Sequence, residues 1–133
     1  MWKGSAAICV NENKEILMVL QGKQNEQKKW SIPTGGKEEN ETFEECCIRE
    51  VKEETGYQVI IDRKFYEKNG MSYGLQIHVH YYIVTVVGGE RMIQDPDNLI
   101  YEIEWKSIED LINLELTFPE DRALIINLLN KHK

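Results

Sequence analysis

No run of apolar residues in this chain approaches the roughly 20 needed to cross a bilayer as a helix, so no membrane span is expected. Basic residues are in deficit: 16 Lys and Arg stand against 23 Asp and Glu, and the formal net charge is −7. That balance argues against a binder of nucleic-acid polymers or of acidic membrane surfaces, both of which need positive patches. It leaves a small phosphorylated ligand open, because cations can neutralise phosphates locally. Cysteine is scarce and odd in number. Cys9, Cys46 and Cys47 show no CxxC or zinc-finger spacing, and read as reduced, small apolar residues of a cytoplasmic protein. No secretory leader pattern is present, since Met1-Trp2-Lys3-Gly4 runs straight into a strand pattern. Internal repeats, low-complexity stretches and linkers are absent too. Residues 1–133 therefore read as one domain, long enough to bury a core without disulfide staples.

What the chain does have is concentrated between Gly35 and Tyr57, GGKEENETFEECCIREVKEETGY. Thr42-Phe43-Glu44-Glu45 spells a capping box, and Gly56 stands where a helix wants a left-handed residue at its end. Between them, at about 100° per residue, Glu50, Glu53 and Glu54 share one arc, with Cys47, Ile48 and Val51 on the neighbouring, buried arc. Like charges at i,i+3 and i,i+4 each cost roughly 0.2–0.5 kcal/mol. Glu53 and Glu54 also occupy the last turn, where the helix dipole disfavours anions. A run of acids on a helix is ordinarily just a solvated face. Three held together against two penalties instead call for positive charge. Arg49 supplies one unit, and a hard divalent cation held by oxygen donors, Mg²⁺ or Mn²⁺, would supply more.

The same stretch resembles the signature of the Nudix (MutT-like) hydrolase family. The matching positions are Gly35, Glu41, Arg49, Glu50, Val51, Glu53, Glu54, Gly56 and Tyr57, without a gap. Tyr57 replaces the usual aliphatic residue, and Thr34 stands where many members carry glycine. The resemblance implies metal-dependent hydrolysis of a diphosphate linkage in a nucleotide or nucleoside diphosphate derivative, with water attacking phosphorus. Carried over residue by residue, it implies Glu50 and Glu54 as chief metal ligands, Glu53 completing the site directly or through water, and the Gly35 carbonyl adding a neutral oxygen. It implies Arg49 orienting a carboxylate, Glu41 holding loop to helix from the second shell, and Glu50, Glu53 or an acid outside the stretch as general base. Two other readings remain. One is a catalytically inactive domain of the same fold that binds or senses a ligand; the other is an acidic Ca²⁺ domain, which lacks the EF-hand loop spacing.

The rest of the chain supplies strands and one further long helix. Residues 4–10 and 15–21 read as two strands joined at Asn11-Glu12-Asn13-Lys14 as a hairpin, and residues 21–29 as a solvated loop. Trp30 either packs beneath the helix or stacks on a base. Residues 57–66 form a strand with a bend at Asp62-Arg63-Lys64, and Asn69-Gly70 signals a turn. In the strand at 75–87, Leu75, Ile77, Val79, Tyr81 and Ile83 face one way, and Gln76, His78, His80 and Tyr82 the other. His78 and His80 could hold zinc in principle, but no third ligand stands at a useful spacing. Cross-strand pairing is the plainer role, with His80 and Tyr82 as candidates to line a substrate groove. Asp95-Pro96-Asp97-Asn98 reads as a turn and residues 99–105 as a strand, whose Glu102 or Glu104 is a candidate outer carboxylate. A short helix capped by Ser107 follows. The last helix, residues 119–131, carries an Ala123-Leu124-Ile125-Leu128-Leu129 core stripe, with Phe118 at its start a candidate substrate contact. This element order resembles the Nudix fold, an α+β protein built as an α/β/α sandwich around a mixed β-sheet. The expected partner is a small nucleotide or diphosphate; no oligomeric state is implied.

Overall fold

The computed structural model of the chain describes residues 1–93 and 99–131. The turn expected at Asp95–Asn98 lies outside those residues. In order, the elements are β1 (Trp2–Cys9), β2 (Ile16–Gln21), β3 (Lys29–Ser31), β4 (Thr34–Gly36), α1 (Phe43–Thr55), β5 (Tyr57–Ser72), β6 (Leu75–Gly89), β7 (Ile100–Lys106), α2 (Ile108–Asn113) and α3 (Asp121–Lys131).

The strands form two sheets. One is mixed, in the order β4-β1-β6-β5, with β1 parallel to β6 and antiparallel to β4; the other is antiparallel, β3-β2-β7. Alternation along β1 explains the layering, because successive side chains leave a strand on opposite faces. Ala6 and Ile8 join a cluster with Met18, Val79, Tyr81, Leu111, Ile125 and Leu129, on the side of α2 and α3. Ala7 and Cys9 join a second cluster with Val19, Cys47, Val51, Val59, Val84 and Ile103, beneath α1. Both faces of the β layer are thus covered, which is the expected α/β/α sandwich.

Helix α1 is built as its sequence dictates. Thr42 accepts from the Glu45 amide at 3.0 Å while Glu45 accepts from the Thr42 amide at 2.8 Å, closing the capping box. At the far end Gly56 has φ +84° and donates to the Lys52 carbonyl. A side chain there would also strike the Glu90 carbonyl. The buried arc is Cys46, Cys47 and Val51; Ile48, expected on it, is exposed. The difference is a rotation of one residue toward Cys46, whose thiol faces the Gly35 carbonyl at 3.5 Å.

Several expectations are corrected. β1 and β2 do not form a hairpin. Their connection is closed by the Val10–Ile16 bridge and the Asn11 amide donating to the Glu15 carbonyl, and the strands then enter different sheets. The glycine loop around Gly35 is itself the short edge strand β4, with Gly35 opposite Ser5. Asn69-Gly70 is not a turn: it lies inside β5, opposite His78 and Ile77. The chain reverses instead at Tyr73-Gly74, whose φ values of +51° and +78° are those of a tight two-residue turn. The bend expected at residues 62–64 is present as register shifts at Ile61/Arg63 and Lys64/Tyr66, the mark of β-bulges. α3 begins at Asp121 rather than at residue 119, and Ala123 faces solvent.

Candidate active site

The carboxylates of α1 are organised by Arg49. Its guanidinium donates to both oxygens of Glu41, at 3.0 and 2.5 Å, to Glu50 at 2.8 Å, to Glu53 at 3.2 Å and to the Gly36 carbonyl at 2.9 Å. Only a planar fork with donors on three nitrogens reaches this set. One side chain therefore ties β4, the loop after it and two helical acids together. The paired guanidinium holds the Glu41 carboxyl well below the usual range, at about 2, and Glu41 in turn raises Arg49 further above its ordinary value. Glu41 also accepts from the Glu38 amide at 2.9 Å, fixing the loop.

Glu50, 14% exposed at its side chain, lies against the Cα of Gly35, so closely that a methyl group there would overlap its carboxylate. Glycine is needed here for space. Glu54 is buried, at 6% exposure, whereas Glu53 is the most open of the three, at 36%. Partial burial, and then the neighbouring Glu50 charge, raise the Glu53 carboxyl above its ordinary value. Desolvation pushes the Cys9 and Cys46 thiols to about 11 and Cys47 to about 12. They stay protonated at neutral pH and make poor ligands.

The site fits a hard dication by its donor set. Three carboxylates occupy one helix, one of them buried and one seated in a glycine-sized cradle. They do not, however, converge as the helical arc alone suggested. Among the described residues the three-ligand set whose atoms lie within 4.8 Å of one another is Glu67, His78 and His80. Arg49 stands between Glu50 and Glu53, and its Nη1 donates to both of them.

A cleft of about 280 Å³ opens beside Thr34, one residue from Gly35. Trp2, Lys68, Ile77, Val79, Tyr81 and Phe118 line it. Lys68 Nζ lies 4.9 Å from the Phe118 ring centre and 3.0 Å from Glu120. Tyr81 donates to the buried Asp121 at 2.7 Å. Of the expected substrate contacts, Phe118 is in this cleft. Trp30 is not beneath α1; it packs against the α2 and α3 cluster, with Lys106 Nζ 4.2 Å from its ring centre. His80 and Tyr82 point to the α1 face, away from the cleft, and His80 stacks on Phe43 with ring centres 3.7 Å apart. Glu102 and Glu104 alternate with Ile103 and Trp105, which pack in the α1-side cluster, so both acids face away from it. Glu104 pairs instead with Arg91 at 3.5 Å.

Sequence reading missed Trp2, Thr34, Lys68 and Tyr81. The signal was present in the Leu75–Ile83 alternation, but the groove was expected on its other face, with His80 and Tyr82. Ile77 is only half-buried and Leu75 is exposed, as an apolar face that receives something requires.

A three-layer sandwich whose capped helix presents an Arg-ordered set of carboxylates to a glycine strand defines a narrow class of protein. The NUDIX domain family model matches residues 2–128, and the chain belongs to that family. It is 33% identical over 102 residues to the m7GpppN-mRNA hydrolase of Saccharomyces cerevisiae, covering 74% of this chain and 10% of the yeast protein. In structure it is similar to a NUDIX hydrolase from Nitrosomonas europaea (TM-score 0.86, 21% identity, 98% of this chain and 89% of the other). It is also similar to the MutT protein from Methanosarcina mazei Go1 (TM-score 0.78, 21% identity, 99% and 95%). These two likenesses establish the fold. Among curated relatives such as the yeast enzyme, the chain spans 10% to 57% of the relative's length.

Proposed function

We propose that residues 1–133 act as one Nudix domain hydrolysing a diphosphate linkage in a nucleotide or nucleoside diphosphate derivative. The observation that carries this reading is the complete set of signature side chains (the box), with Glu41, Glu50 and Glu53 held by a single guanidinium, beside a ligand-sized cleft. Glu50, Glu53 and Glu54, with the Gly35 carbonyl, would hold Mg²⁺ or Mn²⁺. When bound, such an ion neutralises charge on the diphosphate oxygens and acidifies water.

The chain's own residues do the rest. Arg49 and Glu41 fix the loop against α1, so that Glu50 keeps its place beside Gly35. Glu53, the most open of the acids and the one with a raised proton affinity, is suited to take the proton of the attacking water; Glu50 is the other candidate base. One P–O bond forms to water as the bridging P–O bond breaks, and the proton passes to the carboxylate. The cleft lined by Trp2, Lys68, Tyr81 and Phe118 would take the organic half of the substrate, with Thr34 at the boundary between the two regions.

The test is formation of cleavage products, a nucleoside monophosphate together with its leaving phosphate, pyrophosphate or phosphoester, from a panel with Mg²⁺, Mn²⁺ or EDTA. Relatives and neighbours suggest its members: 8-oxo-dGDP, ADP-ribose, Ap4A and UDP derivatives. Metal-dependent turnover that disappears in a folded Glu54→Gln variant is the expected result. A Glu54→Gln variant with full activity would overturn the assignment. Silence across the panel, with folded protein and bound metal, would favour a ligand-sensing domain of the same fold.

A further inference from the structure

The β5–β6 hairpin carries a second cluster that the box chemistry does not use. Glu67 lies directly opposite His80, and Asn69 opposite His78, so Glu67 and the two histidines share the α1 face. Glu67 Oε1 is 3.1 Å from Nε2 of His78 and 3.1 Å from Nε2 of His80, and the two Nε2 atoms are 3.0 Å apart. The other ring nitrogens are already committed. His78 Nδ1 meets the Asn69 side-chain oxygen, which can only accept, so Nδ1 carries the proton. His80 Nδ1 is 3.1 Å from the Tyr82 hydroxyl, which itself donates to Glu44 at 3.2 Å; here too Nδ1 is the donor. Both Nε2 lone pairs therefore point at one carboxylate oxygen and at each other. Such a near-equilateral triangle calls for positive charge among its members, either a proton on one Nε2 or a metal ion held by all three.

We propose that Glu67, His78 and His80 form a site for a zinc-class dication, separate from the carboxylates of α1. For three atoms at these separations, a point about 1 Å above their plane lies about 2.05 Å from each, the usual Zn–N and Zn–O bond length. Two imidazoles and one carboxylate are a set that Zn²⁺ takes with a fourth position left open to water, whereas Mg²⁺ prefers oxygen alone. The Asn69 and Tyr82–Glu44 contacts are the outer partners that fix ring orientation in such sites, and the Phe43 ring stacked on His80 adds a packed wall. Lys68, Ile77 and Val79 alternate with the ligands along the same strands and line the cleft. Occupancy would thus staple the two strands that form one wall of the cleft.

The test is a chelator-buffered Zn²⁺ titration of the full chain in a large excess of Mg²⁺, with Co²⁺ substitution to read coordination from its visible bands. Wild type is expected to bind one Zn²⁺ and to give the intense bands of four-coordinate Co²⁺. His78→Gln/His80→Gln and, separately, Glu67→Gln should each weaken binding by at least about tenfold, while Glu54→Gln should bind as wild type does. Glu67 is exposed, so its variant keeps the proposal testable if the double histidine variant misfolds. Absence of saturable Zn²⁺ binding in wild type, or affinity unchanged by Glu67→Gln, would overturn the site. So would affinity lost in Glu54→Gln but kept in Glu67→Gln, which would assign the ion to the box.

Discussion

Arg49 shows how much one side chain can decide. It is held by Glu41 from the loop, by the Gly36 carbonyl from β4 and by two acids of its own helix. Arg49→Lys keeps the charge and loses the fork. It should leave the far-ultraviolet spectrum unchanged and lower turnover at least about tenfold, because a lysine ammonium is a point donor. Gly35→Ala should be as damaging without touching any charge. Its methyl group would displace the Glu50 carboxylate, and a misplacement of about 1 Å costs on the order of 10²-fold in rate. The Glu41 pairing also sets an acid limit. Its carboxyl falls from an ordinary 4.5 to about 2, so the stability it gives is complete above about pH 4.5 and is lost as pH falls toward 2. Glu41→Gln should flatten that limb in an acid titration followed by circular dichroism, and lower stability at neutral pH. At this scale the sequence was readable wherever partners are close along the chain, as Arg49 and Glu53 are. Glu67 was not readable as a partner of His80. Their opposition follows from the register that runs back from the turn at Tyr73-Gly74, a turn the sequence reading had placed at Asn69-Gly70.

At the scale of elements, legibility followed local chemistry. Both ends of α1 were written in residues that satisfy their own backbone: Thr42 and Glu45 at the start, Gly56 at the finish. Thr42→Ala should cost about 1 kcal/mol, a fall of about 4 °C in melting temperature for a chain of this size. The hairpin turn was misread for an instructive reason. Asn69-Gly70 has the favoured composition, but register in a two-sided sheet is set by which side chains reach the core. Val79 and Tyr81 must face the α2 and α3 cluster, and that pairing closes at Ser72 opposite Leu75. The turn then falls on Tyr73, which holds a left-handed conformation at 94% exposure. Asn tolerates that conformation far better, so Tyr73→Asn should raise the melting temperature by about 2–4 °C in a calorimetric scan. The separation of β1 from β2 was equally hidden, since a short polar connection looks the same whether the strands pair or part.

For the whole molecule, an acidic surface and an acidic site act together. With a net charge of −7, the fold carries self-repulsion that a bound dication relieves. Saturating Mg²⁺, at about 100 times its dissociation constant, should stabilise the chain by about 2.7 kcal/mol. EDTA should reverse this, and the shift should vanish in Glu50→Gln/Glu54→Gln. No helix among the described residues is long and apolar enough to cross a membrane. The layer order was legible from the order of strands and helices and from the family resemblance, while the split into two sheets was not, because it depends on pairings distant in sequence. The antiparallel union of β2 with β7 is the most distant of these, with Ile16 opposite Lys106, and the parallel union of β1 with β6 comes next. Ala6 pairs with Tyr81, so β1, once synthesised, waits for a partner roughly 75 residues behind it, and contacts of that range carry a heavy loop-closure penalty before they stabilise anything. The β5–β6 hairpin can zip locally and early, whereas the centre of the mixed sheet closes only once β6 is made. Until it does, β1 offers an unpaired apolar edge, and the vulnerability of this protein to aggregation belongs to its biosynthesis more than to its finished state.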